Sequence, residues 1–79
     1  MKDVLNAKKE NFSQAIQKRR INLGLDLIDL SKLIGDNGFS LSKNTLKRIE
    51  EGSLNPSLEQ TLAILIALDC EISINNEVI

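Results

Sequence analysis

Apolar residues recur at helical spacing in the first third of the chain, beginning near residue 11. Phe12 and Ile16 lie one turn apart, and Gly24 follows the stretch as a residue type that commonly ends helices. This pattern predicts a first helix over residues 11–23. Residues 1–10 are polar and lack a clear period, so we expect a loose N-terminal arm or a short extra turn of helix there.

A second helix is predicted over residues 26–34. Asp26 is a suitable N-cap, and Gly35 follows the last apolar position. The expected buried stripe consists of Leu27, Leu30, Leu33 and Ile34. Residues 36–42, DNGFSLS, are typical of a turn and connector.

A third helix begins after Ser42, which can cap it, and ends before Gly52. Leu46 and Ile49 are expected to face inward. The remaining surface of this helix is basic and polar and carries Lys43, Asn44, Lys47 and Arg48.

A fourth helix starts with Ser57 and Gln60 at the spacing of a capping box. It is apolar almost all the way round over residues 62–68. A helix that is apolar on more than one face is buried on more than one side, and in so small a domain we expect the second side to contact a neighbouring subunit.

The C-terminal tail alternates apolar and polar residues from Cys70 to Asn75, which is the period of a half-buried strand. A single strand has no sheet to join in a helical chain, so we expect it to pair with its copy in a dimer. The alternative is a strand folded over the chain's own helices. The residues predicted to mediate dimerisation are Leu65, Leu68, Cys70, Ile72 and Ile74. The predicted domains are an N-terminal arm (1–10), a helical domain (11–69) and a C-terminal strand or tail (70–79).

Length and composition limit the function. The chain has 79 residues, 42% of them hydrophobic, which suits one small domain whose core is only marginally self-sufficient. It has one cysteine and no histidine, so we expect Cys70 to be buried or interfacial rather than reactive, and we expect no metal, no cofactor and no catalytic residues. No apolar run reaches membrane-spanning length and the N-terminus lacks a secretory signal pattern, so we expect a cytoplasmic protein.

The charge is distributed unevenly, although the net charge is only -1. Residues 1–48 carry 10 basic and 5 acidic residues, whereas residues 49–79 carry 6 acids and no base. This asymmetry suits a domain that turns a basic face toward a polyanion. Ordinary solvated charge on both halves is the alternative.

Two helices joined by a connector, the second basic on its exposed face, are typical of a helix-turn-helix. The stretches RRINLGLDLIDLSKLIG and NTLKRIEEGSLNPSLEQTLAILIALD resemble the helix-turn-helix domain of the phage repressor/Cro family, also called the XRE family, over about residues 12–69. The residues that carry the resemblance are Arg20, Gly24, Leu25, Leu27, Leu30, Gly35, Glu50, Gly52 and the NPS loop. The resemblance implies an all-α fold of four to five helices, similar to that of the lambda repressor, with a short C-terminal β-strand.

Arg20 and Glu50, near the ends of the first and third helices, can form a bidentate ion pair that clamps these helices together. The resemblance implies the same pair; independently solvated charges are the alternative. By position in the family, Lys43, Asn44 and Arg48 are the expected base-reading residues, with Lys47 nearer the DNA backbone. Ser42 and Thr45 are expected to contact phosphate. A solvated charged face is the alternative for this set.

Two departures from the family pattern concern the helix-turn-helix itself. The connector over residues 36–42 is longer than usual, and its role is open. Leu27 stands where many relatives carry a phosphate-binding glutamine, so a phosphate contact is expected to be lost there. Lys18, Arg19 and Lys32 are candidates to compensate for that loss or to be simply solvated.

The predicted function is a sequence-specific transcriptional regulator, in particular a repressor, that binds a palindromic operator as a homodimer. The short length and the ALDCEISI ending also resemble HipB-type antitoxins, which would add a toxin protein as a partner; a regulator without a toxin is the alternative. A protein-interaction module that has kept the fold without DNA binding is the candidate from another class.

Overall fold

The computed structural model describes residues 1–79 as a bundle of helices followed by a two-stranded antiparallel hairpin. The elements are α1 (Lys2–Asn22), α2 (Leu27–Asp36), α3 (Lys43–Glu50), α4 (Leu58–Ala67), β1 (Ser73–Ile74) and β2 (Glu77–Val78). The predicted fold class, an all-α helix-turn-helix domain with a short C-terminal strand element, is confirmed. No helix is long and apolar enough to cross a membrane.

The core is built from α1, α2, α3, the connector between α2 and α3, and α4 with its C-cap. Leu30 and Ile34 of α2 meet Leu46 and Ile49 of α3, as the apolar stripes predicted. The buried apolar residues are Ile16, Leu30, Ile34, Leu41, Leu46, Ile49, Ile64 and Leu68. Each such side chain contributes roughly 1.5–3 kcal/mol by leaving water, so this small set provides most of the driving force for packing α3 against α1 and α2.

The start of α1 differs from the prediction, because the helix begins at Lys2 rather than near residue 11. Residues 1–11 are all exposed, so tertiary packing does not fix this segment. It contains no glycine or proline and is rich in good helix formers such as Lys8 and Lys9, so the helix propagates backward from the packed turn at Phe12.

All four helices end in the same hydrogen-bonded arrangement, the Schellman motif, in which the residue after the C-cap takes a left-handed conformation. The left-handed residues are Gly24, Gly38, Gly52 and Asp69, with φ of 74°, 88°, 78° and 54°. The prediction that α2 stops at Gly35 was wrong: Gly35 lies within the helix, and Gly38 is the residue that ends it. Phe39 N–H closes this motif on the Ile34 carbonyl at 3.2 Å.

The C-terminal strand pairs within its own chain as a hairpin, which the sequence interpretation did not foresee, and pairing of its outer edge with a second copy stays a prediction. Ser73 lies opposite Val78, and Ile74 lies opposite Glu77. Asn75 and Asn76 form the two-residue turn with φ of 49° and 73°, the conformation of a type I′ turn that asparagine tolerates well. This two-residue turn lets the backbone of Ser73 and Ile74 pair with the residues that follow directly in the same chain.

The fourth helix is not fully enclosed by the chain. Ile64 is completely buried, whereas Ile66 is 62% exposed. Leu68, predicted to lie at a dimer interface, has 0% exposure and belongs to the core of the single chain, which corrects that assignment. Leu68 directly follows the last turn of α4, and its side chain packs into the core cluster.

Candidate nucleic-acid interface

The start of α3 is organised by its N-cap residue, Ser42. The Thr45 N–H donates to Ser42 Oγ at 3.1 Å, and Ser42 Oγ donates to Thr45 Oγ1 at 2.9 Å. The first turn contains no acidic residue. The positive end of the helix dipole is therefore not offset by a carboxylate within α3 itself. Both hydroxyls predicted to contact phosphate lie at this end, and Thr45 retains a hydroxyl hydrogen for another acceptor.

The side chains predicted to contact DNA project from one exposed surface of α3, with Leu46 and Ile49 on the opposite, buried side. The exposed members are Lys43, Asn44, Lys47 and Arg48. None of these four side chains forms a hydrogen bond within the protein. Lys47 Nζ lies 3.9 Å from Glu51 Oε1, but this pair is largely solvated and holds the lysine only weakly. We call this surface, residues 43, 44, 47 and 48, the basic face of α3.

Two contacts from α1 fix the C-terminal end of α3. The buried hydroxyl of Ser13 donates to the Ile49 carbonyl at 2.9 Å. Arg20 donates through Nε to Glu50 Oε2 at 2.7 Å and through Nη2 to Glu50 Oε1 at 2.9 Å. The Arg20 and Glu50 side chains are only 11% and 5% exposed, so the pair expected from the sequence lies in a largely dry setting. The hydrogen bond to Glu50 raises the pKa of Arg20 and outweighs the opposing effect of burial.

Arg20 also joins these helices to α2. Its Nη1 donates to the Leu25 carbonyl at 2.8 Å, immediately before the N-cap of α2. One guanidinium thus connects the end of α1, the entry to α2 and the end of α3. The orientation of the basic face depends on this connection.

The long connector is packed rather than loose. Leu41 is only 5% exposed and joins the core, and the Ser31 hydroxyl donates to its carbonyl at 2.7 Å. Phe39 is half-buried against the same core. The sequence interpretation missed these anchors, although two large apolar residues in so short a connector were a usable signal. The added length therefore positions Ser42 rigidly at the start of α3.

The start of α2 carries two carboxylates in a reciprocal capping box. The Asp29 N–H donates to Asp26 Oδ1 at 2.7 Å, and the Asp26 N–H donates to Asp29 Oδ2 at 3.1 Å. Hydrogen bonding from the Asp29 backbone lowers the pKa of Asp26, with a smaller contribution from the charge of Lys43. Asp26 is therefore ionised at neutral pH, close enough to the basic face for Lys43 to affect it.

The sequence suggested Arg19 as a candidate to replace the phosphate contact expected to be lost at Leu27, but in the structure Arg19 binds backbone carbonyl groups at the end of α4. Its Nε donates to the Leu68 carbonyl at 3.0 Å and its Nη2 to the Asp69 carbonyl at 3.3 Å, so it caps the end of α4. Lys18 and Lys32 are exposed, and neither forms an ion pair. No pattern in the sequence indicated the Arg19 contact, because its partners are about fifty positions away and are backbone atoms.

The other predicted dimerisation residues have mixed exposure. Leu65, Cys70 and Ile72 are half-buried, and Ile74 is 65% exposed. Cys70 is a free cysteine whose Sγ lies 3.7 Å from the Leu68 carbonyl oxygen. No group of three or more carboxylate, cysteine or histidine residues could hold a metal ion.

The geometry defines a helix-turn-helix domain. Helices α2 and α3 form the helix-turn-helix motif, and α3 presents a cationic surface. Residues 16–75 match the helix-turn-helix family HTH_3, and the chain belongs to this family of DNA-binding transcription regulators. No curated protein and no solved structure shows significant similarity to the chain.

Proposed function

We propose that this protein is a sequence-specific transcriptional repressor that binds a palindromic operator as a dimer, with α3 in the major groove. The observation that carries the proposal is the basic face of α3, whose four side chains are exposed and free of hydrogen bonds to the protein. Side chains that make no internal hydrogen bond lose little on meeting a ligand, because no protein contact must first be broken.

The chemistry of this face matches that of base edges in DNA. Lys43 and Arg48 can bridge O6 and N7 of guanine, and Asn44 can bridge N6 and N7 of adenine. Lys47 is the candidate for a backbone phosphate contact, and Ser42 and Thr45 lie at the helix start, where main-chain N–H groups also attract phosphate. An eight-residue helix is about 12 Å long, comparable to the width of the major groove.

A single headpiece makes few contacts, and a two-fold dimer would place two copies of α3 on half-sites roughly 34–36 Å apart. Exposed apolar side chains on α4 and the hairpin support a second copy as the partner. These include Ile66, Ile74, Val78 and Ile79. The antitoxin hypothesis rests on the short length and the tail strand, and the tail strand pairs within the chain here, which does not favour that hypothesis. We therefore propose a regulator without a toxin.

The test is a titration of the purified protein against duplexes covering the DNA upstream of its own gene, at two salt concentrations. Lys43→Ala/Arg48→Ala should weaken specific binding at least about 30-fold, since each base contact is worth roughly 1–3 kcal/mol. Lys2→Ala/Lys8→Ala removes the same charge from the exposed start of α1 and should have a much smaller effect. Absence of wild-type binding at low salt would instead favour a protein-interaction module.

A further inference from the structure

Asn37 and Gly38 form the only Asn–Gly pair in the chain, and both residues are exposed at the C-terminal end of α2. The carbonyl carbon of an asparagine side chain is an electrophile, and the backbone nitrogen of the next residue is the nucleophile nearest to it. Glycine has no Cβ, so it leaves that nitrogen open to approach. Every other asparagine of the chain is followed by a residue with a side chain. Asn37 is therefore the asparagine that the sequence makes most reactive.

The reaction available to this pair is an intramolecular deamidation that consumes only water. The Gly38 nitrogen gives up its proton and forms a bond to Cγ of Asn37. The bond from Cγ to the side-chain nitrogen breaks, and ammonia leaves after taking up a proton. The product is a five-membered succinimide ring. Water then opens this ring at one of its two carbonyl carbons, which gives either aspartate or isoaspartate.

The fold holds Asn37 in a conformation that does not allow the ring to close. Closure requires the Gly38 nitrogen to lie on the same side of the Asn37 Cα–C bond as Cβ. Asn37 has a ψ of 5°, so the Gly38 nitrogen eclipses the Asn37 nitrogen and lies about 120° of rotation from Cβ, the spacing of substituents on a tetrahedral carbon. The Gly38 N–H is also engaged, because it donates to the Gly35 carbonyl at 3.0 Å. Deamidation therefore requires the end of α2 to open.

The connector after α2 opposes this opening. Phe39 is half-buried against the core, and Leu41 is only 5% exposed. The Leu41 carbonyl accepts from the Ser31 hydroxyl at 2.7 Å. Rotation about the Asn37 Cα–C bond redirects the chain that follows, so these contacts must break when the ring forms. Local openings of this kind cost no more free energy than global unfolding, so the reaction is slowed but not abolished.

The product of the reaction is incompatible with the closed end of α2. Isoaspartate adds one carbon to the main chain, which shifts the Phe39 N–H out of register with the Ile34 carbonyl, now 3.2 Å away. Either product also places a carboxylate at the negative end of the helix dipole, which is unfavourable. The connector leads directly to Ser42, the N-cap of α3. Loss of its register therefore frees the start of α3 and with it the basic face.

We propose that Asn37 is a site of spontaneous deamidation, that the closed end of α2 restrains the reaction, and that conversion to isoaspartate loosens the connector and the start of α3. The conversion proceeds only while the end of α2 is open, so it records how long each chain has spent in that state. The chemical and structural parts of this inference need no ligand. Its consequence for DNA rests on the proposed function, because a loosened α3 binds its operator more weakly.

The first experiment is incubation of the purified protein at mildly alkaline pH, with and without urea, followed by peptide mapping with mass spectrometry. Replacement of an amide by a carboxylate raises the peptide mass, and enzymatic methylation identifies isoaspartate. In urea, Asn37 should convert faster than every other asparagine. In the folded protein its conversion should be about 10- to 1000-fold slower than in urea. Equal rates would show that the fold does not restrain the reaction, and no conversion within that range would show that Asn37 is inert in the folded protein; either result overturns the proposal.

Two serine variants test whether the connector controls the rate. Ser31→Ala removes the hydrogen bond to the Leu41 carbonyl and keeps the Asn–Gly pair, so conversion at Asn37 in the folded protein should become about two- to tenfold faster. Ser40→Ala changes an exposed serine of the same connector and should leave the rate unchanged. In urea both variants should react like the wild type. Equal rates for Ser31→Ala and Ser40→Ala in the folded protein would refute control by the connector.

The structural consequence is measured on aged protein, with Asn37→Gln as the control. Glutamine keeps an amide but would have to close a six-membered ring, so this variant should stay unmodified. The isoaspartate form of the wild type, separated by ion exchange, should melt at least about 5 °C below the unmodified form and bind upstream DNA more weakly, whereas aged Asn37→Gln should keep both properties.

The outcomes separate this inference from the proposed function. If the isoaspartate and unmodified forms melt alike, the structural effect of the modification is refuted, whatever the DNA measurements show. If the isoaspartate form melts lower but binds DNA as tightly as the unmodified form, the link from the connector to α3 is refuted. If neither form binds DNA at low salt, the proposed function fails, while the conversion rates and melting temperatures still decide the role of Asn37.

Discussion

The ion pair between Arg20 and Glu50 gives the sharpest test of how α3 is held. Arg20→Met removes the guanidinium and keeps an apolar side chain of similar length. It leaves the Glu50 carboxylate, whose side chain is 5% exposed, without its partner, and it leaves the Leu25 carbonyl without its donor. Breaking a buried pair in this way costs roughly 3–5 kcal/mol, because a charge is stranded away from water.

That cost is a large fraction of the stability available to the chain. A domain of this length is stable by roughly 4–12 kcal/mol in total. For a domain of this size each kcal/mol shifts the melting temperature by about 4–8 °C, so we expect a fall of about 12–40 °C. Thermal and urea unfolding followed by circular dichroism would measure both quantities.

Two further variants separate a stranded charge from a general loss of contacts. Arg20→Met/Glu50→Leu removes both charges and should recover to within about 2 kcal/mol of the wild type. Arg19→Met removes the neighbouring arginine, which donates only to the Leu68 and Asp69 carbonyl groups just after α4, and should cost about 1–2 kcal/mol. The reasoning is refuted if Arg20→Met costs no more than Arg19→Met, or if the double variant is no more stable than Arg20→Met.

Two other predictions concern the ends of elements. Asp69→Gly replaces an aspartate in the left-handed conformation by glycine and removes an acid from the negative end of α4, so the free energy of unfolding should rise by about 0.5–1.5 kcal/mol. Gly38→Asp, at the equivalent position of α2, should lower the free energy of unfolding. An unchanged or lower melting temperature for Asp69→Gly would contradict this prediction. Leu41→Ala should cost about 2–4 kcal/mol by opening a cavity under the connector, whereas Ser40→Ala at its exposed neighbour should change the urea midpoint little; equal midpoints for the two variants would mean that the connector is not anchored.

The parts of the fold that follow local rules were predictable. The capping box of Ser57 and Gln60 and the N-cap Ser42 are found as expected, because a cap requires only residues three positions apart. The apolar stripes of α2 and α3 likewise predicted which faces are buried. The exposed basic face of α3 follows from the same periodicity, since what is not in the stripe must face outward.

Other features depended on longer-range choices. Both Gly35 and Gly38 are residue types that commonly end a helix. Gly38 ends α2 because Phe39 and Leu41 of the connector pack against the core. The hairpin was missed because the asparagine pair at 75 and 76 was not considered as a turn, although paired asparagines suit two successive positive φ angles. The Arg19 contact with α4 joins distant backbone atoms, and no local pattern encodes it.

The brevity of α3 has a consequence for how the protein responds to its ligand. Eight residues are too few for a helix to persist alone in water, so the basic face exists only while Ser13, Arg20 and Leu41 hold α3 against the rest of the chain. The unfolded chain lacks α3 and therefore lacks the basic face. If the protein binds DNA as proposed, DNA binds only the folded state and stabilises it. At a free DNA concentration one hundred times the Kd, this thermodynamic linkage adds about 2.7 kcal/mol to the free energy of unfolding, so the DNA-bound protein should resist proteolysis longer than the free protein.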